Sequence, residues 1–222
     1  KSSRFPGKPL ANLCGTSVIE RVSNQCIKAV GRENVFVATD DQKIKTHCVE
    51  RNIQVIMTSS KCLTGTDRLV EVSNKLKKDI YINVQGDEPL VKINDIKKVL
   101  HSAIKFPEKI YNGMSDILDQ SEYFNPNVPK VVTDNNGKLL YMSRSPIPGN
   151  KEKSFVTKKS KKQICIYSFP FNSLNDFGKF NKKTKNENEE DIEILRFLDM
   201  GYEINMINLE GSYVAIDTPS DL

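Results

Sequence analysis

"DIYINVQGDEPLVKINDIKKVLHSAIKF", residues 79–106, decides the fold. "DIYINVQ" (79–85) is rich in β-branched and aromatic residues and reads as a strand. "QGDEP" follows, and Gly86 lets the backbone turn sharply. "NDIKKVLHSAIKF" (94–106) places Ile96, Val99, Leu100 and Ala103 at helical spacing. Strand, polar turn and amphipathic helix make one half of a βαβ unit. In open sheets built from such units, ligands bind beyond the carboxyl ends of the strands. Asp87 and Glu88 fall at that end, so they are the first candidates for chemistry.

The same alternation extends upstream. "TSVIERVSNQCIKAV" (16–30) is an amphipathic helix that Thr16 or Ser17 caps. "NVFVATDD" (34–41) is a strand, "QKIKTHCVERN" (42–52) a helix and "IQVIMT" (53–58) a strand. "GTDRLVEVSNKLKK" (65–78) is a helix capped by Thr64 or Thr66. Short connections between alternating elements predict right-handed crossovers and an open, mostly parallel sheet with helices on both faces. The pattern changes beyond about residue 125. "PKVVTDNNGKLLYMSR" (129–144) predicts two strands around an Asn-Asn-Gly turn, and "KQICIYSF" (162–169) a further strand. The stretch 129–185 is therefore expected to form a small β-hairpin subdomain within a single 1–222 domain. "EEDIEILRFLDMG" (189–201) predicts one helix ended by Gly201, and strand material and a turn close the chain. A first strand is expected to precede Lys1.

Composition limits the function. The 222 residues are 38% hydrophobic and 27% charged, enough apolar material for a core. No apolar run is long enough to span a membrane, and none resembles a secretion signal. The five cysteines, Cys14, Cys26, Cys48, Cys62 and Cys165, are scattered with no C-x-x-C pair, and there are two histidines. That argues against a zinc site and for reduced thiols in a cytoplasmic protein. The net charge of +5 gathers in "KEKSFVTKKSKK" (151–162), expected to be a mobile loop, and in "KFNKKTK" (179–185). No aromatic pattern accompanies either cluster, so both read as solvated surface and no nucleic-acid partner is expected.

Three further motifs carry chemistry. "SSRFPGKPL" (2–10) joins Gly7 to Arg4 and Lys8, and backbone N–H groups with two cations suit a polyphosphate; a basic surface loop is the other meaning. The spacing is not that of a P-loop. "TGTDRL" (64–69) opens a helix whose N–H groups can meet an anion, with Arg68 adding charge; a plain capped helix start reads the same way. "IDTP" (216–219) repeats the strand, aspartate and turn of "NVQGDEP". Carboxylates at strand ends suit Mg²⁺, which binds through one or two of them plus substrate phosphates.

Taken in order, "SSRFPGKPL", "ATDD", "TGTDRL", "NVQGDEP", "FNPN" (124–127), "YMSRSPIP" (141–148), "EILRFLDMGYEI" (193–204) and "DTPSDL" resemble the CMP-Kdo synthetases, the 3-deoxy-manno-octulosonate cytidylyltransferases. The likeness covers essentially the whole chain. It implies a Rossmann-like nucleotidyltransferase fold. It also implies transfer of CMP from CTP to the anomeric hydroxyl of an eight-carbon acidic sugar with release of pyrophosphate, for surface glycans such as lipopolysaccharide. Carried over by motif, Ser3, Arg4, Lys8, Thr64, Gly65, Asp67 and Arg68 would hold the nucleotide. Arg4, Lys8 and Asp87 would act in catalysis, and Asp87 with Asp217 would bind Mg²⁺. Gln85, Arg144, Gln163, Tyr167 and Glu193 would line the sugar site, with Arg144 pairing the sugar carboxylate. A homodimer joined through residues 129–185 is also implied.

The chain departs from the family pattern in three places. The family's "H-x-G-I-Y" is here "QICIY", so Gln163 replaces a histidine and Cys165 a glycine. Its "E-Q-L-R" is here "EILR", which places Ile194 where a polar residue is expected near the sugar. Its "I-P-A-R" would fall before Lys1, with the first strand expected there. The first two departures leave room for an amino-Kdo or another 2-keto-3-deoxy acid. A glycosyltransferase would need a D-x-D motif, which is not found. A non-catalytic nucleotide-binding paralogue would have no need of Lys8, Asp87 and Asp217.

Overall fold

The computed structural model describes residues 5–152, 154–158, 160–211 and 216. The chain opens with the short pair β1 (Asn12–Leu13) and β2 (Thr16–Ser17). Then follow α1 (Val18–Val30), β3 (Phe36–Thr39), α2 (Gln42–Val49), β4 (Gln54–Met57), α3 (Gly65–Lys75), β5 (Ile80–Val84) and α4 (Ile93–Lys105). Each lies where the sequence pattern puts it. Ser17 caps α1 by accepting from the Glu20 N–H, and Thr64 caps α3 in a capping box with Asp67. The second half contains β6 (Ile110–Asp116), α5 (Gln120–Phe124), β7 (Lys130–Thr133), β8 (Leu139–Ser143) and β9 (Lys161–Pro170). It ends with α6 (Phe171–Phe177), α7 (Lys185–Glu190), α8 (Leu195–Asp199) and β10 (Ile204–Asn208).

The main sheet is built on β9. One edge of β9 pairs antiparallel with β6, and β6 in turn pairs parallel with β10. Its other edge is shared: β5 pairs with Ile166–Pro170, and β7 pairs with Lys161 and Lys162. Thus β5, β6 and β10 run in one direction and β9 runs against them. β3 and β4 form a separate parallel pair among the described residues. Helices cover both faces, as the α/β reading requires. Ile164 and Ile166 of β9 point to the α1 and α4 side, with Val22, Ile96 and Val99. Tyr167 and Phe169 point to the other side, with Leu174, Phe177 and Phe197. Phe169 stacks on Phe197 at 5.0 Å between ring centroids.

The short elements β1, β2, α5 and α6 have no counterpart in the sequence reading, and three larger features differ from it. β6 has no counterpart in it, because Asn112 and Gly113 interrupt the apolar run that would mark a buried strand. The hairpin expected at 129–144 is present as β7 and β8, turning through Gly137 at φ 81°. However, β9 belongs to the same 129–185 stretch and runs through the centre of the main sheet, so the stretch is not a separate layer. The single helix expected over 189–201 is two helices, because Asp191 adopts a left-handed conformation at φ 50°. Gly201, at φ 83°, lies just beyond α8 as expected.

An irregularity in the β6–β9 ladder aims the site. Register jumps from Asn112–Tyr167 to Gly113–Ile164, so β9 carries extra residues there. The fully buried Asn112 repairs the ladder by donating its Nδ2 to the carbonyls of Ile164 (2.9 Å) and Ile166 (3.1 Å). The carbonyl of Cys165 instead accepts from the Gln85 N–H at 3.1 Å, which ties the bulge to the end of β5. Gly113 fits where little else would. A Cβ there would lie 2.5 Å from Leu209 Cδ1 and 3.2 Å from the Ile164 carbonyl oxygen. We expect Gly113→Ala to lower stability by about 1–3 kcal/mol through overpacking. Gly149→Ala, where a Cβ meets nothing within 4 Å, should leave it unchanged. Thermal unfolding of the two variants makes the comparison.

Candidate active site

The end of β5 gathers the predicted residues. Gly7, at φ 76°, turns the opening loop so that Lys8 starts a short 3-10 helix. Lys8 Nζ then donates to Asp87 Oδ2 at 2.6 Å, with side-chain exposures of 12% and 20%. Two motifs separated by 79 positions therefore meet at one point. The closing segment arrives at the same place: the Ile216 N–H donates to the Asp87 carbonyl at 3.0 Å, and Ile216 is buried. Ser3, Arg4 and Asp217 lie outside the described residues.

Next to Asp87, Glu88 is 4% exposed, and its Oε2 has no hydrogen-bond partner. Burial, reinforced by the Asp87 charge, pushes its pKa up to about 7. The sequence places Glu88 beyond the sheet edge with Asp87, but the turn buries one carboxylate more than the other. Asp87 remains partly open and Glu88 faces inward toward Cys165. Burial, then the Glu88 charge, raises the Cys165 thiol well above its usual range. Burial likewise raises Tyr167. Both stay protonated at neutral pH, so neither supplies a nucleophile. Among the described residues, no three metal-ligating side chains cluster. Asp87 nevertheless presents the hard oxygen donor that Mg²⁺ prefers, at a partly open strand end beside a second, incompletely partnered carboxylate.

Gln85 and Glu193 come together. Gln85 Nε2 donates to Glu193 Oε1 at 2.6 Å, and Glu193 Oε2 accepts from the Thr66 N–H at 2.9 Å. Desolvation raises the Glu193 pKa, and the bond from Thr66 works against it. The start of α3 is also ordered. Asp67 accepts from the Thr64 N–H at 2.8 Å and from the buried Arg196 at 2.9 Å. Arg68 pairs with Asp40 of the "ATDD" motif at 3.0 Å and also donates to Thr58. A Cβ on Gly65 would sit 3.5 Å from Glu193, so the helix start and the Glu193 turn are in close contact.

Three predicted sugar-site residues are engaged elsewhere. Gln163 is 9% exposed, and its Nε2 donates to Asn112 Oδ1 at 2.9 Å within the sheet. Ile194 has no exposed surface and packs in the main core. The expectation that Ile194 faces the sugar is therefore corrected: its side chain lies in the core cluster of Tyr167, Leu195 and Phe197. Arg144 donates to the carbonyls of Glu190 (2.5 Å), Pro126 (2.9 Å) and Asp191 (2.8 Å). These bonds use three of its five N–H groups, leaving two for an incoming carboxylate.

Sequence reasoning missed Lys130, which is fully buried and donates to the carbonyls of Asn125, Val128 and Arg144. It holds "FNPN" against "SRSP". Burial, helped by the Arg144 charge, pushes its pKa down to about 8. The available signal was a lysine opening the apolar run "KVV". All five cysteines are free. No helix among the described residues is long and apolar enough to cross a membrane.

The architecture is that of a nucleotidyltransferase. It is shared with a putative glucose-1-phosphate thymidylyltransferase of Bacillus anthracis, at a TM-score of 0.68 and 14% identity over 99% of this chain and 87% of that one, a likeness of fold. A solved CMP:2-keto-3-deoxy-manno-octonic acid synthetase complexed with CTP matches more closely. Its TM-score is 0.89 at 32% identity, over 99% of this chain and 90% of that one. The cytidylyltransferase family model matches residues 1–204. The 3-deoxy-manno-octulosonate cytidylyltransferases of Thermodesulfovibrio yellowstonii and Trichlorobacter lovleyi are 40% and 38% identical, over 100% of this chain and 91% of each relative. The chain belongs to the 3-deoxy-manno-octulosonate cytidylyltransferase family, and it is an enzyme of the cytidylyltransferase class.

Lys130→Met should remove the Lys130 donor from the part-buried carbonyls of Val128 and Arg144, while the Asn125 carbonyl keeps the Val128 N–H. A loss of about 1–3 kcal/mol is expected for such unpaired groups. Urea unfolding of the variant beside the wild type measures it.

Proposed function

We propose that this chain transfers CMP from CTP to the anomeric hydroxyl of Kdo, releasing pyrophosphate, and does so in the cytoplasm as a homodimer. The sugar hydroxyl oxygen forms a bond to the α-phosphorus, the bond to the β-phosphate oxygen breaks, and the hydroxyl proton is released. The observation that carries the reading is the 2.6 Å contact between Lys8 and Asp87. It joins the cationic opening loop to the acidic end of β5, the place where a charged triphosphate and its counter-ions would sit.

Lys8, with Arg4, neutralises the triphosphate and orients its leaving group. Ser3 and the turn Thr64–Arg68 hold the nucleotide, with Arg68 already oriented by Asp40. Gln85 and Glu193 line the acceptor side, and Tyr167, expected to join them, packs behind them in the main core. Glu193 accepts from Thr66 and Gln85, so its carboxylate is fixed before substrate arrives. Arg144 meets the sugar carboxylate with its two remaining N–H groups. Asp87 and Asp217 would hold Mg²⁺, and the docking of Ile216 on Asp87 supports that pairing. When bound, the ion would neutralise developing charge on the phosphate oxygens. In such transfers, placement and charge neutralisation supply most of the rate.

Ordinary Kdo is preferred here to a modified sugar tail. The burial of Ile194 and the engagement of Gln163 by Asn112 remove the two departures that favoured an altered acceptor. For the dimer, the β7–β9 region supplies the contact. Leu118, Phe124, Leu140 and Val156 lie in or next to it as exposed apolar side chains.

With CTP, Mg²⁺ and Kdo, mass spectrometry should detect CMP-Kdo and pyrophosphate, and UTP should not replace CTP. Asp87→Asn should lower kcat by at least 10²-fold with the fold intact by circular dichroism. A folded variant of near-normal rate would remove Asp87 from the machinery. Sedimentation should give about twice the chain mass at micromolar concentration; a monomer there would count against the dimer.

A further inference from the structure

Arg196 has no exposed surface, and neither does its main partner. Its Nε and Nη2 donate to Glu187 Oε2 and Oε1, each at 2.7 Å. Its Nη1 donates to Asp67 Oδ1 at 2.9 Å, and its Cζ stacks 3.8 Å from the centre of the Phe177 ring. Both acids already have work to do. Asp67 closes the capping box of α3 by accepting from the Thr64 N–H, and Glu187 does the same for α7 by accepting from the Thr184 N–H at 3.1 Å. One guanidinium therefore clamps the capping carboxylates of two helices 120 positions apart in sequence, which only a planar fork can do bidentately.

The clamp lies one turn from Glu193. The Arg196 N–H donates to the Glu193 carbonyl at 3.2 Å. The 193–196 turn thus meets the start of α3 twice: Glu193 takes the Thr66 N–H, and Arg196 takes the Asp67 carboxylate. The second oxygen of Glu193 reaches Gln85. If the guanidinium were lost, α3 would keep its own cap through Thr64 and Asp67, while the 193–196 turn would lose its anchor. The displacement would fall on Glu193, not on the nucleotide side.

We propose that Arg196 is a positioning residue for the transfer: by clamping Asp67 and Glu187, it fixes Glu193 between the start of α3 and Gln85 and so sets acceptor binding. This rests on the reading above that Gln85 and Glu193 line the acceptor site.

Arg196→Lys keeps the charge but loses the fork. Glu187→Gln keeps the size and one acceptor. Both are made in the full chain. Hydrogen exchange reads the geometry without substrate: the Thr66 amide should exchange at least tenfold faster in each variant, while the Val72 amide inside α3 stays within threefold. Kinetics should show the acceptor KM raised tenfold or more and the CTP KM within threefold. An unchanged Thr66 amide in a folded variant overturns the proposal. So do equal rises in both KM values, or a reduced active fraction with both KM values intact, since these are what a merely structural ion cluster would give. If Arg196→Lys does not fold, Glu187→Gln decides. If the wild type fails to transfer CMP to Kdo, the acceptor assignment falls, and the exchange of Thr66 still decides whether the clamp holds Glu193.

Discussion

The structure depends on one strand hydrogen-bonded along both edges and running against its neighbours. β9 joins β6 to both β5 and β7, and its side chains feed the cores on both faces of the sheet. Without β9, the end of β5 that carries Gln85 and Asp87 would have no fixed relation to β6 or to the helices packed over Tyr167 and Phe169. A sheet of βαβ units alone would not need such a strand. Here β9 brings Cys165 to the end of β5, where its carbonyl bonds Gln85, and sends Tyr167 and Phe169 into the core on the other face.

The bulge makes that delivery specific. In a regular ladder every second β9 carbonyl would bond to β6 and the others to the strand on the opposite edge. At the jump in register the Ile164 and Ile166 carbonyls are taken up by the Asn112 side chain, while the Cys165 carbonyl continues the ladder to β5 by accepting from Gln85. Polar groups buried at this depth are tolerated because nearly all find partners. Glu88 Oε2 is an exception, and it lies next to Asp87 at the end of β5. Charges are handled in the same way on the far side of α3, where a single buried cation is shared by two carboxylates, so that no charge is isolated in the core.

Much of this was legible in the sequence, for physical reasons that can be named. Helical spacing and capping residues marked α1 to α4 because each has one buried face and an exposed cap such as Ser17 or Thr64. Polar residues ending apolar runs marked Asp87 and Gln85, since strand ends in such sheets are where side chains leave the core. β6 was invisible because it is buried on both faces and broken by Asn112 and Gly113, so neither alternation nor a clean apolar run survives. The break at Asp191 was missed because a left-handed residue other than glycine leaves little local signature. The partners of Lys130 are backbone carbonyls, which no side-chain pattern encodes.

The late position of β9 also governs how the chain comes into being on the ribosome. β5 ends at Val84, and β9 is complete only at Pro170. At typical elongation rates of about 5–20 residues per second, roughly 5–20 s pass between the two. Throughout that interval the edge of β5 that β9 will take stands open, and the matching edge of β6 joins it once Asp116 has been added, each bearing apolar residues meant for the cores. Pairings so distant in sequence slow folding and lengthen the exposure. A nascent chain of this design relies on its early helices, α1 and α4, to shelter the sheet until its keystone arrives.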